Sequence, residues 1–340
     1  MTLSTRVITL KCRPEGVVDV NNFEIKEIDL VELQCGEILL RTVYLSLDPY
    51  MRGRMSAAKS YAGNFEVGEP LIARGVGEVI LSESKAFTAG DLVVGMMKWA
   101  DYSVIKHPET LRVIDVNKTP LPNYLGPLGM PGLTAWVGMK NIGKPKVGET
   151  LFVSAASGAV GQIASQMGKI SGCRVVGCAG TDKKVSYLIN QMGLDAAFNH
   201  NVEGDYLAAL RRCCPEGIDI NFENVGGKLL EAVLEQANDN ARFVQCGVIS
   251  QYNLPHDKRF GIRNIEHIHR KRIRMEGFIV GDHWDRLDEF ISEMMVWLNS
   301  GAITYKLDIT SGLERAPVAF IAMMGGGNFG KTLVQVDDEP

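Results

Sequence analysis

A change of rhythm near residue 150 constrains this chain most. From there, short apolar runs at 149–154, 174–179, 196–199, 218–223, 242–246 and 273–280 alternate with segments of helical length at 159–171, 182–192, 206–213 and 227–237. Runs apolar on both faces, separated by helices, predict βαβ units around a buried parallel sheet. This is an α/β fold with a doubly wound sheet of the Rossmann type. A further helical segment is predicted at 284–299.

The first ~125 residues read differently, at a chain length that suits about two domains of roughly 150 residues. Predicted strands at 37–47, 71–81 and 92–96 are separated by Asp48-Pro49, Gly53, Gly63, Gly68 and Gly90-Asp91. Strands with this punctuation predict a β-rich barrel or sandwich. Strand-like segments return at 305–309 and 332–336, so the tail is expected to rejoin the first domain. The expected division is 1–129 with 302–340 for the β-rich domain and 130–301 for the Rossmann domain.

Glycine is in excess, 36 of 340 residues, or about 11% against a typical ~7%. Gly53, Gly63, Gly68, Gly75, Gly77 and Gly90 are assigned to barrel turns. A second set lies on the expected path of a dinucleotide, from Gly129 and Gly132 through Gly180, Gly226 and Gly227. Gly325-Gly326-Gly327 reads only as a flexible tail turn.

Composition narrows the function. The formal net charge is -4, which gives no electrostatic footprint for nucleic acid. No apolar run approaches the ~20 residues of a membrane span, and the apolar stretch after Arg6 is too short for a signal peptide. The seven cysteines contain no C-x-x-C pair. Free thiols in a reducing compartment, and therefore a cytoplasmic protein, are expected.

The densest motif is VSAASGAVG at 153–161. It follows the first run of the βαβ series and opens its first helix. Its A-x-x-G-x-x-G spacing (Ala155, Gly158, Gly161) is a variant of the dinucleotide fingerprint. Gly158 would let backbone approach a pyrophosphate, and Gly161 would let helix pack on strand. The second run ends in Gly180-Thr181, followed by Asp182, Lys183 and Lys184. A hydroxyl and two lysines suit a 2′-phosphate, so NADP(H) is expected over NAD(H). A tight turn without ligand, and a solvated helix start, are the plainer alternatives.

Several stretches resemble the medium-chain dehydrogenase/reductase superfamily, in its zinc-independent prostaglandin reductase/alkenal reductase branch, and most of all the curcumin reductases. They are YLSLDPYMR (44–52), GMPGLTA (129–135), ENVGG (223–227), CGVISQYN (246–253) and NFGKT (328–332). The resemblance implies a GroES-like β-domain beside the Rossmann domain, and a dimer, with pairing through the sixth strand's edge as one route. It implies that Ser157, Gly158, Ala159, Val160 and Gly161 hold the pyrophosphate, and that Lys184 and Thr181 contact the 2′-phosphate. His200, where prostaglandin reductases carry tyrosine, would lie on the adenosine side. Asn224, Cys246, Gly247, Ile249, Tyr252 and Phe278 would line the nicotinamide and ribose region. Met130 would lie beside the cofactor, with Asn328 and Gly330 reaching it from the tail.

Zinc-dependent relatives carry Gly-His-Glu where this chain has Ala73 and Arg74, and no four-cysteine lobe is present. No metal is expected. Without a Lewis acid, an enone or enal is a better hydride acceptor than a simple ketone, because charge spreads to an enolate oxygen that hydrogen-bond donors can stabilise. Tyr252 is the candidate donor and general acid; an ordinary loop tyrosine is the alternative. Tyr50 is a second candidate, facing the cleft on the family reading or packing beside Pro49. Other readings are a zinc-free quinone reductase and an NADPH-binding protein without turnover. The basic run 267–274 reads as a solvated helix end, Cys213-Cys214 as packing residues, and Met294-Met295 as helix core.

Overall fold

A computed structural model describes residues 4–340, with all side chains among them except that of His256. The chain forms two compact units, residues 1–125 with 307–340 and residues 126–306.

The first unit begins with an antiparallel pair, β1 (Ser4–Leu10) and β2 (Phe23–Asp29). Its main sheet starts with β3 (Ile38–Ser46), which leads into a short helix, α1 (Met51–Arg54). Then come β4 (Ile72–Ser82), β5 (Leu92–Lys98), β6 (Tyr102–Ile105) and β7 (Arg112–Val113). Strands β3, β4, β5 and β7 are antiparallel neighbours, and β6 also pairs with β3. Two glycines assigned to turns lie inside β4 instead. A Cβ on Gly75 would stand 2.4 Å from Met97 Sδ and 2.7 Å from the Tyr44 carbonyl oxygen. One on Gly77 would stand 2.8 Å from the Arg41 carbonyl oxygen. They permit close strand approach; Gly53 lies within α1. Gly68 and Gly90 do sit in turns, with φ of +89° and +92°.

The second unit opens with α2 (Met130–Val137). It continues through β8 (Thr150–Val153), α3 (Ala159–Ile170), β9 (Arg174–Ala179), α4 (Asp182–Asn190), β10 (Ala196–Asn199) and α5 (Tyr206–Cys213). The other half is β11 (Ile218–Glu223), α6 (Gly227–Gln236), β12 (Ala237–Gln245), α7 (Ile249–Tyr252), α8 (Glu266–Arg270), β13 (Arg274–Gly277) and α9 (Leu287–Asn299). The six strands are all parallel, in the order β10-β9-β8-β11-β12-β13. This is the Rossmann arrangement, and strand order reverses between β8 and β11. Ligands bind outside the carboxyl ends of the strands at such a switch point.

Some predicted bounds shift. The sixth strand is shorter than 273–280, because as an edge strand it is paired only through Arg274–Gly277. A 3-10 segment, Val280–Arg286, then delays the helix predicted at 284–299 to Leu287; its His283 has non-helical angles. β12 starts at Ala237, five residues before the predicted 242. The basic run is not simply solvated. His267 Nε2 lies 2.8 Å from Glu235, and Lys271 Nζ donates to the carbonyls of Leu234 and Glu235 at the end of α6. A cation there complements the helix dipole.

The chain then returns to the first unit through β14 (Leu307–Ser311), α10 (Ala316–Met324) and β15 (Lys331–Gln335). β14 and β15 are parallel, and β15 joins β3 antiparallel. Tyr305 lies before the strand rather than in it. Helix α10 escapes sequence reading because APVAFIAMM is apolar on every side and shows no stripe. Its Phe320 packs edge-on against both Phe23 and Trp99, with centroids 6.4 Å away. The triple glycine ends this helix. Gly326 adopts φ +76°, its N–H donates to the Met323 carbonyl, and the Gly327 N–H donates to that of Ala322 at 2.7 Å. Left-handed closure of this kind is the usual use of glycine at a helix C-terminus. Among the described residues no helix is long and apolar enough to cross a membrane.

Candidate active site

The turn after β8 is shaped by backbone crowding. Ala155, at the first small position of the motif, holds φ +49°. Its carbonyl accepts from the Gly158 N–H at 2.9 Å. A Cβ on Gly161 would come within 2.3 Å of that carbonyl oxygen and 2.8 Å of Ala156 Cα, so only glycine fits. At Gly158 the tightest approach would be 3.1 Å. Gly161 is therefore required by the fold, whereas at Gly158 a Cβ would ask the Ala155 carbonyl to give by only a few tenths of an ångström. Helix α3 starts at Gly158 with no side-chain cap. By contrast, Thr181 caps α4 and Asp205 caps α5. The first turn of α3, through Ala159 and Val160, thus presents amide N–H groups and the positive end of a dipole beside buried Ser157. This cradle fits an anionic pyrophosphate.

The ends of β9 and β10 lie side by side. Thr181 Oγ1 accepts from the Lys184 N–H at 3.3 Å, which still leaves its own proton to donate. Lys184 is buried to 8% exposure although it sits in a first helical turn. His200 follows β10, with its ring about 3.5 Å from where a Gly180 Cβ would be. Burial, and then the Lys184 charge, push its pKa below the ordinary histidine value, so the ring is neutral near pH 7. Its Nδ1 is buried without a hydrogen-bond partner. The Lys184 cation, the Thr181 hydroxyl and the His200 ring are a donor set that could hold a phosphate monoester.

At the switch point, Asn224 follows β11. Its N–H donates to Ser154 Oγ at 2.7 Å and its Nδ2 to the Ser154 carbonyl at 2.8 Å. Both groups rest on Glu223, which is fully buried. One Glu223 oxygen accepts from Ser154 Oγ and from the N–H groups of Val225 and Gly226; the other accepts from Asn221 Nδ2. Four donors are what a buried carboxylate needs in place of water. Sequence reasoning saw Glu223 only as part of a motif. Its signal was an acid at the carboxyl end of a buried strand, directly before Asn224 and the Gly226-Gly227 pair.

Beyond β12, Cys246 and Gly247 lead into α7, which carries Ile249 and Tyr252. The Val248 N–H donates to the Tyr252 phenol oxygen at 3.4 Å. A Cβ on Gly247 would lie 3.2 Å from that oxygen, so glycine makes room for the phenol. Gly247 also lies against Asn224, which brings the ends of β11 and β12 together. Burial raises the phenol pKa, with a small opposing contribution from the Val248 N–H. The phenol therefore stays protonated and can donate. Burial pushes the Cys246 thiol up to about 12, and Glu223 adds to this. Cys246 is thus a neutral wall rather than a nucleophile. Phe278, just past β13, is half-buried, and Met130 begins α2.

Tyr50, Asn328 and Gly330 belong to the first unit. Tyr50 precedes α1, and its phenol is raised by burial first and by Asp48 second, against opposing effects of Arg54 and Arg74. Burial lowers the Arg74 pKa. Asn328 Nδ2 donates to the Gly330 carbonyl at 2.8 Å. Next to it, fully buried Lys331 donates to Asp48 Oδ1 at 2.7 Å and to the Leu47 carbonyl at 2.6 Å; Ser46 Oγ donates to the other Asp48 oxygen. The two motifs that carry the resemblance at the chain's ends therefore meet in one ion pair. Among the described residues, no group of three or more His, Cys, Asp or Glu side chains is placed to hold a metal.

Comparisons with known proteins agree with this architecture. Residues 6–113 match the family described as the N-terminal domain of oxidoreductase, and residues 159–296 match that described as zinc-binding dehydrogenase. The NADP(+)-dependent 2-alkenal reductase of Nicotiana tabacum is 42% identical, covering 99% of both chains. The NADPH-dependent curcumin reductase of Escherichia coli is 42% identical over 96% of this chain and 95% of its own. CurA from Vibrio vulnificus in complex with NADPH superposes with a TM-score of 0.92 at 42% identity, covering 98% of this chain and all of that one. Escherichia coli quinone oxidoreductase, at 18% identity and TM-score 0.75, shares the fold. The chain belongs to the medium-chain dehydrogenase/reductase superfamily, in the branch of the alkenal, curcumin and prostaglandin reductases.

Proposed function

We infer that this protein is an NADPH-dependent reductase of the carbon–carbon double bond in α,β-unsaturated ketones and aldehydes. The alkenal and curcumin reductases it resembles along its whole length support this reading. The observation that carries it is the uncapped N-terminus of α3 over a glycine turn, with a cation, a hydroxyl and an imidazole at the ends of β9 and β10.

When bound, the reduced nicotinamide supplies a hydride. The residues supply position and proton control. Ser157 to Gly161 bind the pyrophosphate, while Thr181, Lys184 and His200 bind the 2′-phosphate. Asn224, held by Ser154 on the Glu223 platform, fixes the wall formed with Cys246 and Gly247. Met130, Ile249 and Phe278 complete this unit's binding surface, and the resemblance assigns cofactor contacts to Asn328 and Gly330 of the first unit as well. Hydride addition at the β-carbon leaves negative charge on the carbonyl oxygen of the substrate. Tyr252 donates to that oxygen, since its phenol is protonated and its own acceptor site is taken by the Val248 N–H. Transfer of the Tyr252 phenol proton to that oxygen gives the enol, which tautomerises to the saturated product while the phenolate regains a proton from solvent. Tyr50, whose phenol is also held protonated, is the second candidate donor that the resemblance implies. With Ala73 and Arg74 at the positions where zinc relatives carry ligands, the reaction proceeds without metal.

The seven free cysteines support a reducing, cytoplasmic setting. The open edge of β13 supports a homodimer joined there, which sedimentation would test. The activity is tested by NADPH absorbance loss with an enone panel and a quinone panel. Turnover of enones is expected. Turnover of quinones alone would favour a quinone reductase, and binding without turnover a non-catalytic protein. Tyr252→Phe is expected to lower enone turnover about 100-fold while NADPH affinity changes less than about twofold; unchanged turnover would remove Tyr252 from its role.

A further inference from the structure

Two glutamines of α3 are buried where apolar residues would be expected. Gln162 is fully buried and Gln166 is 5% exposed. They lie about one helical turn apart, and each pairs its amide with the backbone of one residue in the segment before β14. Gln166 Nε2 donates to the Thr304 carbonyl at 2.8 Å, and its Oε1 accepts from the Thr304 N–H at 2.8 Å. Gln162 Nε2 donates to the Lys306 carbonyl at 3.3 Å. Its Oε1 accepts from the Lys306 N–H at 2.9 Å and from the Tyr187 phenol at 3.0 Å. Two alternate residues, each bonded through both N–H and C=O, are held as a neighbouring strand would hold them.

The residue between them, Tyr305, reaches the start of the same helix. Its phenol donates to the Ala159 carbonyl at 3.0 Å. Its ring fills the space beside Gly126, where a Cβ would stand 2.6 Å from Tyr305 Cε1. Ala159 is the first residue of α3, and its carbonyl shares one peptide group with the Val160 N–H. That N–H lies in the uncapped first turn and finds no acceptor among the described residues. A donor on an amide oxygen draws electron density from the amide nitrogen, which makes the N–H a stronger donor in turn.

We propose that Tyr305 is a positioning residue for the dinucleotide: by bonding the Ala159 carbonyl it fixes and polarises the 159–160 peptide, and so strengthens the Val160 N–H as a donor to the pyrophosphate. Tyr305 touches no cofactor in this account; it acts through that peptide. The inference rests on the reading of the α3 turn as the pyrophosphate site.

Tyr305→Phe removes one oxygen and keeps the ring beside Gly126, so it tests the bond with little change in packing. Calorimetric titration of the purified full chain compares NADPH with adenosine 2′-monophosphate, which carries the 2′-phosphate but no pyrophosphate. Tyr305→Phe is expected to weaken NADPH about three- to fivefold, a part of one hydrogen bond to a charged group, and to leave adenosine 2′-monophosphate within about 1.5-fold. In the unliganded protein the Val160 amide proton resonance should move upfield while that of Lys184 stays. Gly126→Ala, which displaces the ring, should repeat the NADPH loss in the parent and add little to it in Tyr305→Phe. Four results would each overturn the proposal: unchanged NADPH affinity in Tyr305→Phe, equal weakening of both ligands, an unmoved Val160 resonance, or full addition of the two losses. A parent protein that binds NADPH no tighter than adenosine 2′-monophosphate would instead refute the pyrophosphate site itself.

Discussion

The two units hold their site residues by opposite means. In the nucleotide-binding unit the geometry is local and made of backbone. Ala155, Gly158 and Gly161 shape one turn, and Glu223 gathers the backbone N–H groups of Val225 and Gly226. In the β-rich unit the Tyr50 segment depends on Lys331, a residue from the other end of the chain, through an ion pair with Asp48 that is removed from water. A turn built from backbone tolerates changes in side-chain charge but not in volume. A segment held by a buried ion pair tolerates a change of charge least. Sequence-distant contacts of that kind also explain why the tail returns at all.

The largest expected effect falls on the ion pair. Lys331→Met leaves Asp48 buried and unpaired, and should cost about 3–5 kcal/mol in denaturant unfolding. Adding Asp48→Leu should recover part of that loss, as an apolar replacement of both partners does. Loss below about 1 kcal/mol in the single variant would show that the pair is not what holds the segment.

The glycine turn offers the sharper contrast. Gly161→Ala forces a Cβ onto the Ala155 carbonyl and should lower stability by about 1–3 kcal/mol. Gly158→Ala meets the same carbonyl at 3.1 Å, a milder contact, so its stability should fall by less than that of Gly161→Ala, about 1 kcal/mol or under. It should nevertheless weaken NADPH binding about tenfold or more, through lost amide contacts to phosphate. If both variants lose stability equally, Gly158 serves the fold and not the ligand. Ala155→Gly relieves a left-handed alanine and should stabilise the protein by about 0.5–1 kcal/mol, since left-handed geometry disfavours any side chain.

The smallest effect is a pH dependence. The folded state holds His200 neutral with a lowered pKa, while the unfolded chain protonates near the ordinary ~6.5. The unfolded state then binds more protons, so stability falls as pH drops below about 6.5 and is retained above it. His200→Gln should flatten this slope, as followed by unfolding at pH 5 to 8. An unaltered slope would mean that the ring is solvated.

The same division decides what could be read from sequence. β9, β10, α5 and β11 were legible to the residue because local apolar runs and helix periodicity define them. Helix α10 was not, since a helix apolar all round carries no stripe. Gly75 and Gly77 looked like turn residues because their need, closeness to Met97 and to the β3 backbone, lies across the sheet. Lys331 and Asp48 stood in separate motifs, and nothing local linked them.

The central claim is hydride delivery to the β-carbon of an enone, with charge leaving through the carbonyl oxygen. Turnover of a simple enone with NADPH carrying deuterium at the transferable position tests it most directly, with the product analysed by NMR. The account predicts a saturated ketone with deuterium on the β-carbon. Deuterium on the former carbonyl carbon, in an allylic alcohol, would contradict it.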